Sequence, residues 1–125
     1  MMDRDGYIEG VPCWVDTTQP DPEAAVSFYG GLFGWDIEDV MPPGSPAKYF
    51  IARNRGGDVA AIGQEAEGSA NTGVWNTYIW VDSADETASR VTGAGGNVVM
   101  EPFDVMDQGR MAIFTDPEGA AFRVW

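Results

Sequence analysis

The sequence contains no histidine and one cysteine, Cys13, among its 125 residues. Without histidine the chain can build neither a Ser-His-Asp nor a Cys-His nucleophile, and it offers no imidazole to a transition metal. A single cysteine excludes an intrachain disulfide and a cysteine-rich zinc site. The remaining oxygen donors suit only a hard cation such as Mg²⁺ or Ca²⁺. Most side chains used in nucleophilic and metal-assisted catalysis are therefore missing.

Basic side chains are also scarce. Seven Lys and Arg against twenty Asp and Glu give a formal net charge of −13, which repels nucleic-acid backbones. No apolar run approaches the roughly 18–20 residues that span a bilayer, and the N-terminus lacks the features of a signal peptide. The content of 44% hydrophobic and 12% aromatic residues is that of a folded domain. We expect a single cytoplasmic domain over residues 1–125 that binds neither nucleic acid nor membrane.

The first half of the chain is predicted to fold as strand, helix and three strands. Residues 11–17 form a short apolar strand, and Asp21 followed by Pro22 is typical of a helix start. Apolar residues at helical spacing then lead to a glycine C-cap, Gly34; they are Ala25, Phe28, Tyr29, Leu32 and Phe33. Strands are predicted over 35–40, 48–53 and 58–64, with a hairpin turn at 55–57.

The second half repeats this order. A strand over 75–81 precedes Ser83, and Glu86 three residues later completes a capping signature. The helix ends at Gly95-Gly96 and carries one apolar face, formed by Ala84, Ala88, Val91 and Ala94. Strands follow over 97–103, 110–115 and 120–125. The polar stretch 65–72 is predicted as the hinge between two βαβββ modules, at about 8–64 and 74–125.

Several motifs resemble those of a known superfamily. They are Asp21, Phe28-Tyr29 and Leu32-Phe33-Gly34-Trp35 in the first half, and Gly109-Arg110 and Phe114-Thr115-Asp116-Pro117-Glu118-Gly119 in the second. With the two βαβββ modules, they resemble the vicinal oxygen chelate superfamily of glyoxalase I, extradiol dioxygenases and bleomycin-resistance proteins. The resemblance implies an α+β fold in which two βαβββ modules form curled mixed sheets around a ligand cleft. It indicates a fold rather than a reaction.

Metal-dependent members of this superfamily place two histidines and a glutamate in the cleft. The corresponding positions here hold Trp14, Asn76 and Arg123. Trp is no ligand, Asn is a weak one and Arg carries the wrong charge. The chain therefore resembles the metal-free branch, whose bleomycin-resistance members bind a drug and keep it from its target. We expect no metal, no cofactor and no catalytic residue.

Strand alternation divides the predicted strands into two faces. The face expected to pack under the helices carries Val15, Thr77, Ile79, Val81, Phe122 and Val124. The opposite face, with one methionine added as an adaptable contact, gives the predicted ligand-binding residues: Trp14, Asp16, Asn76, Tyr78, Trp80, Met111, Arg123 and Trp125. The rings suit stacking on a planar ligand, with Asn76 and Arg123 setting its orientation.

Three functional hypotheses follow from these residues. The first is non-enzymatic binding and sequestration of a hydrophobic aromatic small molecule, as in antibiotic self-resistance of the bleomycin-resistance type. The second is a cofactor-free isomerase or cyclase that uses a cleft carboxylate on a similar metabolite. The third is one half of a tandem glyoxalase-like protein. We also expect a homodimer. Half-barrels of this kind leave sheet edges and cleft walls exposed, and five tryptophans are more than a small core usually buries.

Overall fold

A computed structural model describes residues 6–65 and 73–125. Its elements in chain order are β1 (Pro12–Gln19), α1 (Pro22–Phe33), β2 (Asp36–Asp39), β3 (Tyr49–Asn54), β4 (Gly57–Gln64), β5 (Val74–Ile79), α2 (Ala84–Gly93), β6 (Asn97–Val105), β7 (Gly109–Thr115) and β8 (Ala121–Val124). The βαβββ order occurs twice and every boundary lies within two residues of its predicted position, which confirms the predicted elements. Apart from Glu65, the predicted hinge lies outside the described residues.

The chain divides into two compact units, which we call the first unit (Trp14–Asn76) and the second unit (Met1–Cys13 with Thr77–Trp125). In the first unit the strand order is β2-β3-β4-β1, with β4 parallel to β1 and the other pairs antiparallel. In the second unit the order is β6-β7-β8-β5, with β8 parallel to β5. The same topology therefore occurs twice. Strands of mixed direction with two helices make this an α+β fold, as predicted.

Both helices begin and end as the sequence indicates. The Asp21 carboxylate accepts a hydrogen bond from the Ala24 N–H at 3.2 Å, and Pro22 occupies the first turn, where its missing N–H is not needed. Gly34 adopts a left-handed φ of 69° and donates its N–H to the Gly30 carbonyl at 2.9 Å. No helix in the described part of the chain is long and apolar enough to cross a membrane.

The core of the second unit lies between α2 and its sheet. Ala84 and Ala88 pack with three strand residues that are buried almost completely, and the cluster continues through partly buried neighbours: Ala112, Phe114, Val124, Val81, Val91, Val98 and Phe122. This confirms the helix-side face of Val81, Phe122 and Val124. Ala94 is an exception, because it is the exposed C-cap of α2 rather than part of the packed face.

The prediction that the apolar side chains of α1 form a buried face is largely wrong. Phe28, Leu32 and Phe33 are 61%, 59% and 55% exposed. The helix packs on β4, and the buried side chains of this unit include four alanines, Ala25, Ala52, Ala60 and Ala61, together with Ile62. Ala60 and Ile62 lie two residues apart on β4 and share one face, and both are buried, whereas the large side chains of α1 are not.

Two strand residues also depart from the predicted helix-facing set. Val15 is exposed on β1, and Thr77 is exposed on β5. On β1 the two residues that follow Val15, Asp16 and Thr17, are both buried, so strict alternation between a buried and an exposed face does not hold there. Periodicity assumes that one face of a strand is covered and the other is not, and a strand buried on both faces breaks that assumption.

Phe114→Ala should lower the free energy of unfolding by about 3–5 kcal/mol, because it empties the place of the largest fully buried side chain. Urea unfolding followed by far-ultraviolet circular dichroism would measure this loss. Val99→Ala on the exposed side of β6 is the matched control, with an expected change of about 0.5 kcal/mol or less. Equal losses in the two variants would contradict the position assigned to the core.

Candidate functional site

A hydrogen-bonded cluster in the first unit surrounds Asp16, a buried carboxylate only 2% exposed. The Tyr49 hydroxyl donates to its Oδ2 at 3.0 Å, and the Asn76 amide nitrogen donates to its Oδ1 at 2.9 Å. The Trp14 indole Nε1 in turn donates to the Tyr49 hydroxyl at 3.3 Å. We call Trp14, Asp16, Tyr49 and Asn76 the Asp16 cluster. Both carboxylate oxygens accept hydrogen bonds, which compensates the cost of burying this group.

Strand register explains how the Asp16 cluster is assembled. Trp14 and Asp16 are two residues apart on β1 and share a face. Tyr49 begins β3 opposite Gly63 of β4, and a Cβ atom on that glycine would lie 3.1 Å from Cδ1 of the Tyr49 ring. The glycine therefore makes room for the tyrosine. Three of the predicted ligand residues meet here, whereas sequence reasoning missed Tyr49.

A second group of predicted residues meets in the second unit. Tyr78 and Arg123 are register partners on the parallel strands β5 and β8. The Arg123 guanidinium donates to the Tyr78 hydroxyl at 3.1 Å and its central carbon lies 5.6 Å from the tyrosine ring centroid. Trp125 contacts the same ring edge-to-face at 83°, with centroids 6.3 Å apart. Tyr78 is buried between these neighbours, at 5% exposed.

The second unit also contains a pocket of about 320 Å³, which we call the Trp80–Trp125 pocket. It lies where β5 and β8 end and α2 begins, and its lining consists of Trp80, Val81, Asp82, Ser83, Ala84, Asp85, Gln108, Gly109, Arg110 and Trp125. Tyr7 stacks on the Trp80 indole with centroids 4.7 Å apart. The Trp125 indole lies against Gly109, where a Cβ atom would come within 2.8 Å of Cζ2. Two of the predicted ligand residues thus line one pocket.

Met111 is the predicted ligand residue that joins neither group. Its side chain is buried on β7, and it is not part of the pocket lining. The prediction rested on the adaptability of methionine at binding surfaces. Tyr7 and Gly109 are the residues that sequence reasoning missed here. The available signal was the glycine of the Gly109-Arg110 motif itself, because a missing side chain on a strand often marks the close approach of another group.

Charged side chains surround the Trp80–Trp125 pocket. Arg110 donates to both carboxylate oxygens of Asp85, at 2.8 and 3.0 Å, and to Asp104 at 3.1 Å. These hydrogen bonds lower the pKa of Asp85 and raise the pKa of Arg110 from their ordinary values. A hydrogen bond to Asp82 raises the pKa of Glu9 beside the same pocket. The rim therefore combines a fixed arginine with several carboxyl groups.

The described residues do not fit a metal centre. No group of three or more cysteine, aspartate or glutamate side chains that could hold an ion occurs over 6–65 and 73–125. At the positions that metal-dependent relatives use for ligands, the Trp14 indole, the Asn76 amide nitrogen and the Arg123 guanidinium each donate a hydrogen bond to a neighbouring side chain. Neither the Trp14 indole nor the Arg123 guanidinium has a lone pair to offer a cation, which leaves the Asn76 carbonyl oxygen as the one possible ligand of the three.

Asp85→Asn should make the protein less sensitive to acid than the unchanged chain. The folded-state pKa of Asp85 lies below its unfolded value, about 3.9. The pair with Arg110 therefore stabilises the fold above that value, and this contribution is lost as the pH falls through the folded-state pKa. Thermal melting between pH 6 and pH 3 would measure the difference. Glu101→Gln, which removes an exposed carboxylate of β6 and leaves the Asp85–Arg110 pair intact, should retain the full acid sensitivity.

Comparison with known proteins gives consistent findings on the family and the fold. The sequence profile described as "Glyoxalase/Bleomycin resistance protein/Dioxygenase superfamily" matches residues 14–124. "Putative glyoxylase CFP32" of Mycobacterium tuberculosis is 42% identical over 127 residues, which cover 100% of this chain and 49% of that protein. The anthracycline biosynthesis protein DnrV of Streptomyces peucetius is 39% identical over 132 residues, covering 95% and 48%. The chain spans about half the length of these curated relatives.

Solved structures share the fold at low sequence identity. A methylmalonyl-CoA epimerase variant of Streptomyces coelicolor in complex with 2-nitronate-propionyl-CoA superimposes with a TM-score of 0.65 at 16% identity, covering 94% of this chain and 96% of that one. The hypothetical protein BH1468 of Bacillus halodurans gives a TM-score of 0.66 at 13% identity, covering 90% and 91%. With the repeated βαβββ topology and the profile match, these findings show that the chain belongs to the glyoxalase/bleomycin resistance protein/dioxygenase superfamily, which has the vicinal oxygen chelate fold.

Proposed function

We propose that this domain binds a planar aromatic small molecule in the Trp80–Trp125 pocket and holds it without converting it. The observation that carries the proposal is the presence of two indole rings in the lining of one pocket of about 320 Å³. This volume lies within the range of about 300–1,000 Å³ that ligand sites occupy. Large flat rings offer contact area at a small entropic cost, which suits a ligand that is itself flat.

The neighbours of the two indoles support a preformed site. Tyr7 covers Trp80 by stacking, and Trp125 is held between Gly109 and the edge-to-face contact with Tyr78. Rings that are already fixed lose little further freedom when a ligand binds. Arg123 is not part of the pocket lining; its hydrogen bond holds Tyr78, the ring against which Trp125 packs, and so supports the pocket wall from behind.

The charge of the chain and the identity of one relative narrow the ligand class. Carboxyl groups at the rim and a net charge of −13 favour a neutral or cationic molecule over an anion. The relative DnrV, 39% identical, is named for anthracycline biosynthesis, and anthracyclines contain a fused planar ring system. An aromatic natural product of this kind, bound and kept from its target, is the proposed ligand.

Trp80→Ala should weaken the binding of doxorubicin, used as an anthracycline probe, about ten- to a hundredfold, because it removes one stacking surface worth about 1–3 kcal/mol. Isothermal titration calorimetry would measure the dissociation constant, and mass spectrometry of the mixture should recover the compound unchanged. Trp35→Phe, a ring change in the first unit, is the control and should keep the unchanged protein's affinity. Full affinity in both Trp80→Ala and Trp125→Ala would place the binding site elsewhere.

A cofactor-free isomerase or cyclase is the second candidate function, and the Asp16 cluster favours it. A buried carboxylate held by a tyrosine hydroxyl and an amide is oriented as a proton acceptor must be. In such a reaction Asp16 would take a proton from an acidic C–H of the bound metabolite and return it at another carbon. No redox partner is needed for that exchange.

Asp16→Asn distinguishes the two functions, because it keeps the shape of the side chain and removes its basicity. If the domain is an enzyme, the variant should lose at least about a hundredfold in turnover while ligand affinity stays close to that of the unchanged protein. Solvent deuterium incorporation into candidate polyketide substrates, followed by mass spectrometry, would detect the exchange. Asp82→Asn, at the rim of the Trp80–Trp125 pocket, controls for loss of a carboxylate. The absence of exchange with the unchanged protein would favour sequestration.

The third hypothesis, one half of a tandem glyoxalase-like protein, is compatible with either function. Its support is the length of the relatives, of which this chain covers 49% and 48%.

A further inference from the structure

Arg123 is a partly buried arginine that forms no ion pair with any carboxylate over residues 6–65 and 73–125. Arg53 and Arg110, by contrast, each form ion pairs with two carboxylates. Within the described part of the chain, the Arg123 guanidinium donates only to the Tyr78 hydroxyl, at 3.1 Å. This is unexpected among twenty acidic and seven basic side chains, because a cation that is partly removed from water is normally paired.

The neighbours of Arg123 on the sheet of the second unit supply no counter-charge. Strand register places Tyr78 of β5 on one side of Arg123 and Ile113 of β7 on the other, and register partners point to the same face. Met100 of β6 lies opposite Ile113 in turn. Trp125, two residues further along the chain, is on this face as well. The guanidinium therefore lies among aromatic and aliphatic side chains.

Arg123 points away from the helix of its own unit. Val124, the next residue of β8, is buried with Phe114 against α2, so strand alternation turns Arg123 to the side that α2 does not cover. No guanidinium nitrogen of Arg123 is both buried and without a hydrogen-bond partner. Its Nε–H and Nη2–H groups, which make no hydrogen bond to the described residues, are therefore accessible.

We propose that Arg123 binds the carboxylate of a small molecule through its Nε–H and Nη2–H groups. Two parallel donors match the two oxygens of a carboxylate, and such bidentate pairs are stronger and more directional than a contact with a single atom. Tyr78 fixes the guanidinium in advance, through its hydroxyl and through its ring, whose centroid lies 5.6 Å from the guanidinium carbon. The surrounding side chains favour an apolar remainder, so the proposed ligand class is a hydrophobic monocarboxylate.

The net charge of −13 does not prevent this binding. Exposed charges are screened beyond about 8 Å at physiological ionic strength, whereas a guanidinium and a carboxylate in direct contact attract each other strongly when partly removed from water. The Trp80–Trp125 pocket differs, because carboxyl groups lie at its rim and Arg123 is not part of its lining. The proposed carboxylate site is therefore separate from that pocket and does not depend on the ligand proposed there.

Titration of the unchanged chain with sodium benzoate, followed by NMR of the arginine Nε–H signals, tests the proposal. Benzoate should shift the Arg123 signal in a saturable way, because a charge-assisted hydrogen bond forms there. The Arg53 signal is the internal control and should not move, since that guanidinium already binds Glu38 and Asp58. Benzamide, which has the same ring without the charge, should bind at least about tenfold more weakly.

Arg123→Gln and Arg53→Gln are the matched variants. Fluorine NMR of 4-fluorobenzoate should show at least about tenfold weaker binding to Arg123→Gln and unchanged binding to Arg53→Gln. Arg123→Lys, which keeps the charge and loses the two parallel donors, should recover only part of the affinity.

The absence of a saturable shift at Arg123 in the unchanged chain would overturn the proposal without reference to any variant. Full affinity in Arg123→Gln would also overturn it, because the carboxylate would then bind elsewhere. Equal binding of benzamide and benzoate would show that the ring alone is recognised, which contradicts a carboxylate site. Doxorubicin binding to the unchanged chain is a separate measurement, so this proposal and the proposed function can fail independently.

Discussion

In each unit the last strand of the βαβββ module runs parallel to the first, and this pairing helps to position candidate residues of both units. Parallel neighbours require a crossover connection, which α1 and α2 begin in the two modules. The pairing of β5 with β8 sets Tyr78 beside Arg123. The pairing of β1 with β4, and of β4 with β3, brings Tyr49 to Asp16. A slip of one residue in either parallel pair would turn these side chains to the opposite face.

The positions of the helices and strands follow from local signals in the sequence. Asp21, Pro22 and Gly34 mark the two ends of α1, and Ser83 marks the start of α2, because capping chemistry involves residues three or four apart. Alternation also predicted which β8 residues pack on α2. The superfamily resemblance added the fold, which the profile match then confirmed.

The remaining features depend on contacts between distant residues, which local patterns do not encode. Tyr49 lies 33 residues from Asp16 along the chain, and only the register of β3 against Gly63 brings the two together. The exposure of Phe28 and Leu32 likewise depends on how α1 packs against β4, which the sequence of α1 alone does not determine. Apolar spacing on a helix predicts an apolar face, but it does not show that residues of the same chain bury that face.

The contact between Gly109 and Trp125 has a consequence for how such a domain could change its ligand. The indole rests on main chain, and a Cβ at Gly109 would collide with it. Any side chain at Gly109 would therefore displace the Trp125 indole rather than change the pocket gradually. New ligand preferences are more accessible through the rim, where Gln108 and Asp82 project side chains of variable length.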